Sequence, residues 1–238
     1  MPKINVLKRE LFQFIGREFS NEQFEDFCFE FGCEVEFGTG AEINMPRLDR
    51  DGNQIDLSKE EIYVLELSAN RYDLLCLEGV AQAFRSYLGV APLPRFTVKQ
   101  TEVREKMIVK PETWEVRPYV VSAILRNVQF TEQSYNSFID FQDKLHNSIC
   151  HKRELGSMGT HDYDKVKGPI HYVALPPEQI VFKALKQTEE MNAKDLFDKL
   201  RQDQKLKKYL HIIEKFDRYT VFYDQNGNVL SLPPIINS

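Results

Sequence analysis

The side chains that could support chemistry lie in two stretches of the sequence, HKRELGSMGTHD at residues 151–162 and VLSLPPIIN at residues 229–237. The second stretch places the hydroxyl of Ser231 between two leucines, so a strand would present it to one face. This hydroxyl either bonds to neighbouring backbone or lines a pocket, and the spacing does not choose between them. Neither stretch contains the Gly-x-Ser-x-Gly pattern of an activated serine, so a serine triad is not predicted.

The histidines do not predict a metal site. His146 and His151 are five residues apart in a predicted helix, which is roughly 140° around its axis, so their rings face different directions. His161 and His171 add candidate ligands without a recognised spacing. The sequence around them also lacks the glycine patterns of dinucleotide and P-loop sites.

Two basic runs are candidates for contact with an anionic partner. The first is HKR at residues 151–153, which follows a predicted helix C-terminus, where the dipole already favours cations. The second is KLKKYL at residues 205–210, a pattern that is also typical of a solvated face. The net charge of −5 argues against a protein that binds nucleic acid over its whole surface, but it allows a local contact.

Hydrophobic periodicity predicts helices and strands that do not alternate regularly, which indicates an α+β fold rather than a doubly wound sheet. The predicted helices include residues 20–32, 68–89, 131–150, 192–204 and 205–215. The predicted strands are residues 61–68, 117–128, 156–162 and 170–174, followed by a hairpin within residues 221–238. Asn226–Gly227 predicts a type I′ turn in that hairpin, with positive φ at both residues.

One predicted helix carries its own start and stop signals. Ser20 is a predicted N-cap with Gln23 at the capping-box position, and Gly32 stands where a C′ glycine belongs. Phe24 and Phe27 recur at helical spacing on one face. That face predicts a core contact, and a groove for a partner is the alternative. Asn192 is a second predicted N-cap, at the start of the helix from residue 192.

Composition places the chain among ordinary globular proteins, since 42% of its 238 residues are hydrophobic and 28% are charged. The length predicts two modest domains, and the prolines of VAPLPRF place their boundary so that the domains are residues 1–90 and 91–238. No apolar run predicts a signal peptide or a membrane partner. Four scattered cysteines without a Cys-x-x-Cys pair predict packed, reduced thiols in a cytoplasmic protein.

Seven blocks, in order along the chain, carry a family resemblance: MPKINVLKRELFQFIGREFSNEQFEDF, ANRYDLLCLEGVAQAFRSYLG, RPYVVSAILRNV, SFIDFQDKLHNSICHKR, GTHDYDKVKGPIHYVA, YLHIIEK and NGNVLSLPPIIN. Together they resemble the β subunit of phenylalanyl-tRNA synthetase in its archaeal and eukaryotic cytosolic form. The resemblance covers essentially the whole chain. It implies a small N-terminal α/β domain over residues 1–90 and a mixed-sheet editing domain over residues 91–238, truncated at its C-terminus because relatives continue into further strands.

The resemblance implies part of a phenylalanine–tRNA ligase, which uses ATP and Mg²⁺ to join phenylalanine to tRNA(Phe). Those cofactors would serve the full enzyme, an (αβ)2 heterotetramer with the α subunit, and none is expected in this fragment. In the family, the β subunit contacts tRNA and hydrolyses tyrosine wrongly attached to it. The matching block of archaeal relatives places an editing-pocket serine at Ser231. A pocket leucine of those relatives is replaced by Phe222, whose larger ring would narrow or reshape the pocket.

In an editing site, the hydroxyl of Ser231 would help to recognise the hydroxyl of tyrosine. Tyrosine differs from phenylalanine by one hydroxyl, and a pocket that hydrogen-bonds it rejects the amino acid that lacks it. The family's editing chemistry orients a water, so no catalytic side chain is assigned. The first hypothesis is therefore an editing module, with the isolated fragment expected to be inactive. The alternatives are a non-catalytic scaffold that positions tRNA and the partner subunit, and a free-standing hydrolase of mischarged tRNA.

Overall fold

The computed structural model describes residues 2–43, 47–49, 51, 53–102 and 105–238, which divide into two compact units. The first unit comprises Met1–Val98 and Gln129–Leu145, and the second comprises Lys99–Val128 and His146–Ser238. Their helices, antiparallel sheets and one mixed sheet confirm the predicted α+β fold. The assignment of residues 1–90 and 91–238 to separate functional domains stays a prediction.

The first unit is a three-stranded sheet covered by helices. Its strands are β1 (Lys3–Leu7), β2 (Glu34–Thr39) and β3 (Glu61–Glu66), in the order β1-β3-β2 with both outer strands antiparallel to β3. Its helices are α1 (Lys8–Ile15), α2 (Asn21–Phe31), α3 (Leu77–Tyr87) and most of α4 (Glu132–Asn147). The predicted strand at residues 61–68 is therefore the central strand of this sheet.

Helix α2 begins and ends where the sequence predicts. The Ser20 hydroxyl accepts a hydrogen bond from the Gln23 backbone N–H at 3.2 Å, and the Gln23 side chain accepts one from the Ser20 N–H at 3.1 Å. Gly32 ends the helix with a φ of 93°, in the left-handed region that glycine adopts without strain. Phe24 and Phe27 are buried in the hydrophobic core of this unit, so the predicted core face is confirmed.

Helix α3 is shorter than the helix predicted over residues 68–89. A 3₁₀ helix, Tyr72–Leu74, comes first, and α3 begins only at Leu77. The chain folds back so closely that a Cβ on Gly79 would lie 1.9 Å from the Asp73 carbonyl oxygen. The contact between the preceding turn and the helix therefore requires glycine at this position.

The second unit contains a five-stranded sheet in the order β10-β9-β8-β5-β4. These strands are β4 (Met107–Val109), β5 (Ile170–Leu175), β8 (Tyr219–Tyr223), β9 (Val229–Leu232) and β10 (Ile236–Asn237), with β6 (Val181–Phe182) and β7 (Met191–Asn192) forming a separate pair. Only β4 and β5 of the larger sheet are parallel. Helices α5 (Ala193–Leu200) and α6 (His211–Glu214) contribute to the core of this unit.

The helix cap of α5 is confirmed, and the following helix is shorter than predicted. The Asn192 side-chain oxygen accepts a hydrogen bond from the Asp195 backbone N–H at 2.9 Å. Residues 205–215 contain only a 3₁₀ helix, Lys207–Tyr209, and the single turn of α6.

Two predicted strands are wrong. Residues 117–128 and 156–162 contain no strand, although β5 confirms the prediction for residues 170–174. The side chains of Tyr119 and Val121 are 85% and 96% exposed. Their β propensity has no effect here because none of the described strands pairs with this segment.

The final hairpin is confirmed, but its turn is not type I′. Gly227 has a φ of 83°, whereas Asn226 is not in the positive-φ region. The Asp224 carboxylate instead organises the loop, because its Oδ1 accepts hydrogen bonds from the backbone N–H groups of Asn226 and Asn228, both at 2.8 Å. These carboxylate contacts accompany a backbone β-turn of another type, in which the Gly227 N–H donates to the Asp224 carbonyl at 3.1 Å.

The cysteines form no disulfide bonds among the described residues. All four cysteines are free thiols, of which Cys28 and Cys33 are buried. Within the part of the chain that the structure describes, none of the helices has the length and apolar character needed to cross a membrane.

Candidate functional site

A row of side chains crosses the five-stranded sheet of the second unit. Tyr172 on β5 lies opposite Phe222 on β8, Phe222 lies opposite Ser231 on β9, and Ser231 lies opposite Asn237 on β10. Directly opposite residues in antiparallel strands project from the same face. The two predicted pocket residues, Ser231 and Phe222, are therefore neighbours, with Tyr172 and Asn237 on either side.

This row lies on the face of the sheet that points away from the hydrophobic core of the second unit. Val221 and Leu232 belong to that core, and they are the immediate neighbours of Phe222 and Ser231 along their strands. Successive residues of a strand project to opposite faces. The core therefore holds the strands in place, while the row packs against other parts of the unit and leaves only Phe222 and Asn237 partly exposed.

The aromatic half of the row is fixed by stacking and by one hydrogen bond. The rings of Tyr172 and Phe222 lie 4.6 Å apart between centroids, with 26° between their planes. Tyr172 is 2% exposed, and its hydroxyl donates to the Arg117 carbonyl at 2.9 Å. Burial raises the pKa of Tyr172, so this hydroxyl remains a donor at neutral pH. The position of the Phe222 ring is therefore fixed by its stacking on the anchored ring of Tyr172.

The polar half of the row meets a loop at Gly159. A Cβ placed on Gly159 would lie 3.4 Å from Oδ1 of Asn237, 3.5 Å from Nε2 of His161 and 3.7 Å from Oγ of Ser231. The three polar groups therefore surround one small volume beside this glycine. A larger residue at position 159 would place its side chain in that volume, so glycine keeps the space between them open. We call Ser231, Asn237 and His161 the polar cluster.

The polar cluster can form new hydrogen bonds. Across the described residues, none of the three side chains is hydrogen-bonded to a protein group, and Ser231 is only 4% exposed. His161 and Gly159 reach solvent, so the cluster is accessible from the surface. Surrounding protein atoms desolvate the imidazole and lower the pKa of His161, which favours the neutral ring with one donor and one acceptor nitrogen. A ligand hydroxyl would find both donors and acceptors here.

Buried side chains support the two segments that form the cluster. The Nε2 atom of His146, which is 2% exposed, accepts a hydrogen bond from the Met158 backbone N–H at 2.8 Å. Arg153 donates to the carbonyls of Pro234 and Ile235, both at 3.1 Å, between β9 and β10. His146 thus holds the loop that carries Gly159, and Arg153 holds the turn that joins Ser231 to Asn237.

The histidines that were considered as metal ligands have different surroundings. His146 is buried, whereas His151 is exposed and His171 lies on β5 opposite Tyr223. Among the residues that the structure describes, no group of three or more His, Cys, Asp or Glu side chains is placed to hold a metal ion.

Sequence reasoning missed three parts of the site, namely Gly159, Asn237 and the role of His161 beside them. The sequence presents His161 only as a candidate metal ligand, and it predicts a strand for the surrounding segment. Asn237 becomes a neighbour of Ser231 because the chain reverses at residues 233–235 and β10 pairs with β9. The usable signal was the Gly-x-His spacing at residues 159–161, since glycine permits close approach of a loop to a polar surface.

Comparison with known proteins relates the chain to one family. Residues 1–90 match the family model described as the Phe-tRNA synthetase beta subunit B1 domain. The whole chain is 46% identical to the cytoplasmic phenylalanine–tRNA ligase beta subunit of Arabidopsis thaliana, 45% identical to that subunit of Drosophila melanogaster and 42% identical to the human one. In each case the chain spans about 40% of the length of the curated relative.

A solved structure shows the same fold. It is the crystal structure of an N-terminal fragment of the phenylalanyl-tRNA synthetase beta subunit from Pyrococcus horikoshii, with 31% identity and a TM-score of 0.81. The match covers all of this chain and 62% of that fragment. The similarity therefore extends over both units, well beyond the 90 residues that the family model matches.

Proposed function

We propose an editing role for this chain, which its similarity over the whole length identifies as the N-terminal region of a phenylalanyl-tRNA synthetase β subunit. In this proposal, the second unit recognises tyrosine that has been wrongly attached to tRNA(Phe). The observation that supports it is the meeting of the polar cluster beside Gly159, next to the ring of Phe222. The site combines groups for a hydroxyl with a surface for an aromatic ring.

The physical basis is the single hydroxyl that distinguishes tyrosine from phenylalanine. The phenol O–H would donate to Nε2 of His161 or Oδ1 of Asn237, and its oxygen would accept from the Ser231 hydroxyl. Phenylalanine would bury these groups without partners, at a cost of about 1–3 kcal/mol for each unsatisfied group. Correctly charged tRNA is then released unhydrolysed, because its side chain cannot satisfy the site.

The Phe222 ring offers the remaining part of the recognition surface. It is half-buried and stacked on Tyr172, so its free side can pack against the ring of a bound tyrosine. The residues of this chain would bind and orient the aminoacyl group, while a water attacks the ester carbonyl. We assign no nucleophile to this chain.

The remaining assignments follow from the family and are part of the same proposal. The complete protein would act with an α subunit in an (αβ)2 heterotetramer in the cytoplasm, and it would contribute to ligation of phenylalanine to tRNA(Phe). ATP and Mg²⁺ would serve that ligation reaction, and no step of the editing proposal uses them.

Deacylation of Tyr-tRNA(Phe) by the full-length enzyme tests the proposal. Ser231→Ala should lower kcat/KM for Tyr-tRNA(Phe) by about 10- to 100-fold, the effect of one hydrogen bond to a substrate hydroxyl. The rate with Phe-tRNA(Phe) should not fall, because phenylalanine makes no bond to this hydroxyl. Ser86→Ala in α3, a half-buried serine of the first unit, is the matched control and should leave both rates unchanged. Equal rates for the Ser231→Ala and wild-type proteins would refute the assignment of Ser231.

A scaffold function is the second candidate, and one observation favours it. Tyr119, Val121 and Leu125 are 85%, 96% and 75% exposed, which leaves an apolar segment that a partner could cover. A wild-type full-length enzyme that releases no tyrosine from Tyr-tRNA(Phe), while still forming its complex with tRNA, would support the scaffold function instead.

A further inference from the structure

We propose that the two basic runs of the second unit form one surface that binds the phosphodiester backbone of RNA. We call this surface, defined by Lys152, Arg153, Lys207 and Lys208, the basic surface. The inference rests on the proposed function, because an aminoacylated RNA must also place its phosphates against the protein that reads its amino acid. It goes further by assigning the residues that make this contact.

The structure joins two runs that are more than fifty positions apart in the sequence. The guanidinium carbon of Arg153 lies 4.3 Å from the centroid of the Tyr209 ring, and Nζ of Lys208 lies 4.9 Å from the same centroid. Tyr209 is 3% exposed, so it acts as a buried support for both cations. His211 and Glu154 add a contact of 3.3 Å between the same two segments. The two runs are therefore parts of one surface.

The backbone at the first run adopts a conformation that L-residues rarely take. His151, Lys152 and Arg153 have φ values of 48°, 53° and 70°, so three consecutive non-glycine residues are left-handed. This conformation costs roughly 1–2 kcal/mol per residue. This left-handed backbone directs the Arg153 side chain towards the carbonyls of Pro234 and Ile235, while His151 and Lys152 remain exposed. Local strain of this kind is concentrated at functional sites.

The lysines of the basic surface differ from other lysines of the chain. Lys152 and Lys207 are exposed, and within the described part of the chain neither ammonium forms an ion pair. By contrast, Lys3 lies 2.7 Å from a Glu36 carboxylate oxygen, and Lys194 lies 3.1 Å from one of Glu178. The ammonium groups of Lys152 and Lys207 therefore carry positive charge that no described carboxylate pairs with, in a chain whose net charge is −5.

The basic surface is attached to the polar cluster by Arg153. This side chain belongs to the first basic run, and its guanidinium binds the turn between Ser231 on β9 and Asn237 on β10. Phosphates of an RNA whose 3′-linked amino acid enters the polar cluster would thus approach cations that are fixed to the same turn. Lysine ammonium groups bind phosphates as point charges without reading sequence, which suits a partner held by its backbone.

Binding of tRNA to the full-length protein at several salt concentrations tests the inference. Lys152→Ala combined with Lys207→Ala should weaken binding roughly tenfold, and the slope of log K against log salt should fall by about 1.5 because two phosphate contacts are lost. Lys208 is left intact because it packs on Tyr209. The charge-preserving variant, Lys152→Arg with Lys207→Arg, should retain both the affinity and the slope.

Lys3→Ala combined with Lys194→Ala is the matched control, since it removes the same charge at lysines that are already paired. If this control lowers the salt slope as much as the test variant, the effect is general electrostatics and the inference is wrong. Unchanged tRNA binding with loss of a protein partner would assign the basic surface to an acidic protein and would also overturn it. Ser231→Ala separates the two proposals, because it should lower deacylation without changing the salt slope.

Discussion

In the first unit, Phe24 packs against five aromatic rings and has no exposed surface, whereas in the second unit Ser231 is nearly as buried and has no hydrogen-bond partner among the described residues. The environment of Phe24 is apolar and closed to solvent, so the ring is satisfied by contacts within the protein. The second environment lacks a partner for its hydroxyl. The difference shows that Phe24 contributes to stability through its packing, whereas the proposed editing role depends on a ligand that would supply the missing partner of Ser231.

The largest expected effect comes from removing the centre of the aromatic core. Phe24→Ala should lower the free energy of unfolding by about 3–5 kcal/mol, because it removes a fully buried ring and leaves a cavity. The rings of Tyr63 at 5.0 Å and Phe12 at 5.4 Å would lose their partner. Denaturant unfolding followed by far-UV circular dichroism measures the change in the free energy of unfolding.

Phe29→Ala on the same helix is the control. Phe29 is 85% exposed, so its removal should change the free energy of unfolding by no more than about 0.5 kcal/mol. Similar losses for the two variants would contradict the view that the first unit draws its stability from a complete aromatic core.

The sequence predicts helix α2 of the first unit correctly because the signals of this helix are local. The cap at Ser20, the glycine at Gly32 and the spacing of Phe24 and Phe27 each act within one helix. The strands β1 and β2 were not predicted, because both short segments become strands only by pairing with β3. Tertiary pairing of this kind leaves little trace in a short window.

Gly159→Ala tests the polar cluster around Ser231 directly. The added methyl group would occupy the volume between the three polar groups, so it should lower deacylation of Tyr-tRNA(Phe) by about tenfold or more. Stability should be unchanged or slightly higher, because the backbone of Gly159 is not in the positive-φ region and alanine has fewer unfolded conformations. Deacylation kinetics and thermal unfolding of the full-length enzyme measure the two effects.

Gly156→Ala provides the matched control in the same loop. Its Cβ would meet only the Cys150 sulfur, at 3.9 Å, so both activity and stability should remain close to wild type. Normal deacylation by the Gly159→Ala protein would mean that the polar cluster does not receive the substrate hydroxyl.

The candidate site was only half predictable from the sequence. Ser231 and Phe222 were selected by their match to a family block, and the structure places them opposite each other on β8 and β9. Their roles stay predictions. Asn237 and His161 could not be placed, because β10 is only two residues long and the loop at residues 156–162 has no regular structure. Long-range register, rather than local propensity, brings these groups together.

The smallest expected effect concerns the turn that supports the hairpin of the site. Asp224 is 2% exposed and accepts hydrogen bonds from Asn226 and Asn228, including one from the Asn228 side chain at 2.9 Å. Burial alone would raise the pKa of Asp224, but the hydrogen bonds from these two asparagines outweigh it and hold the pKa below its ordinary value. Asp224→Asn should therefore lower the free energy of unfolding at pH 7 by about 1–2 kcal/mol.

The sign of the pH dependence follows from the lowered pKa of Asp224 in the folded protein. The stabilisation is fully present above the pKa of an unfolded aspartate, about 3.9, and it is lost as the pH falls through the lower folded value. Urea unfolding of the wild-type and Asp224→Asn proteins should thus give a difference at pH 7 that shrinks in strong acid. Asp217→Asn, at an exposed position, should show no such difference at either pH. A difference between wild type and Asp224→Asn that persists unchanged in acid would mean that packing, rather than the charged carboxylate, holds this turn beneath the site.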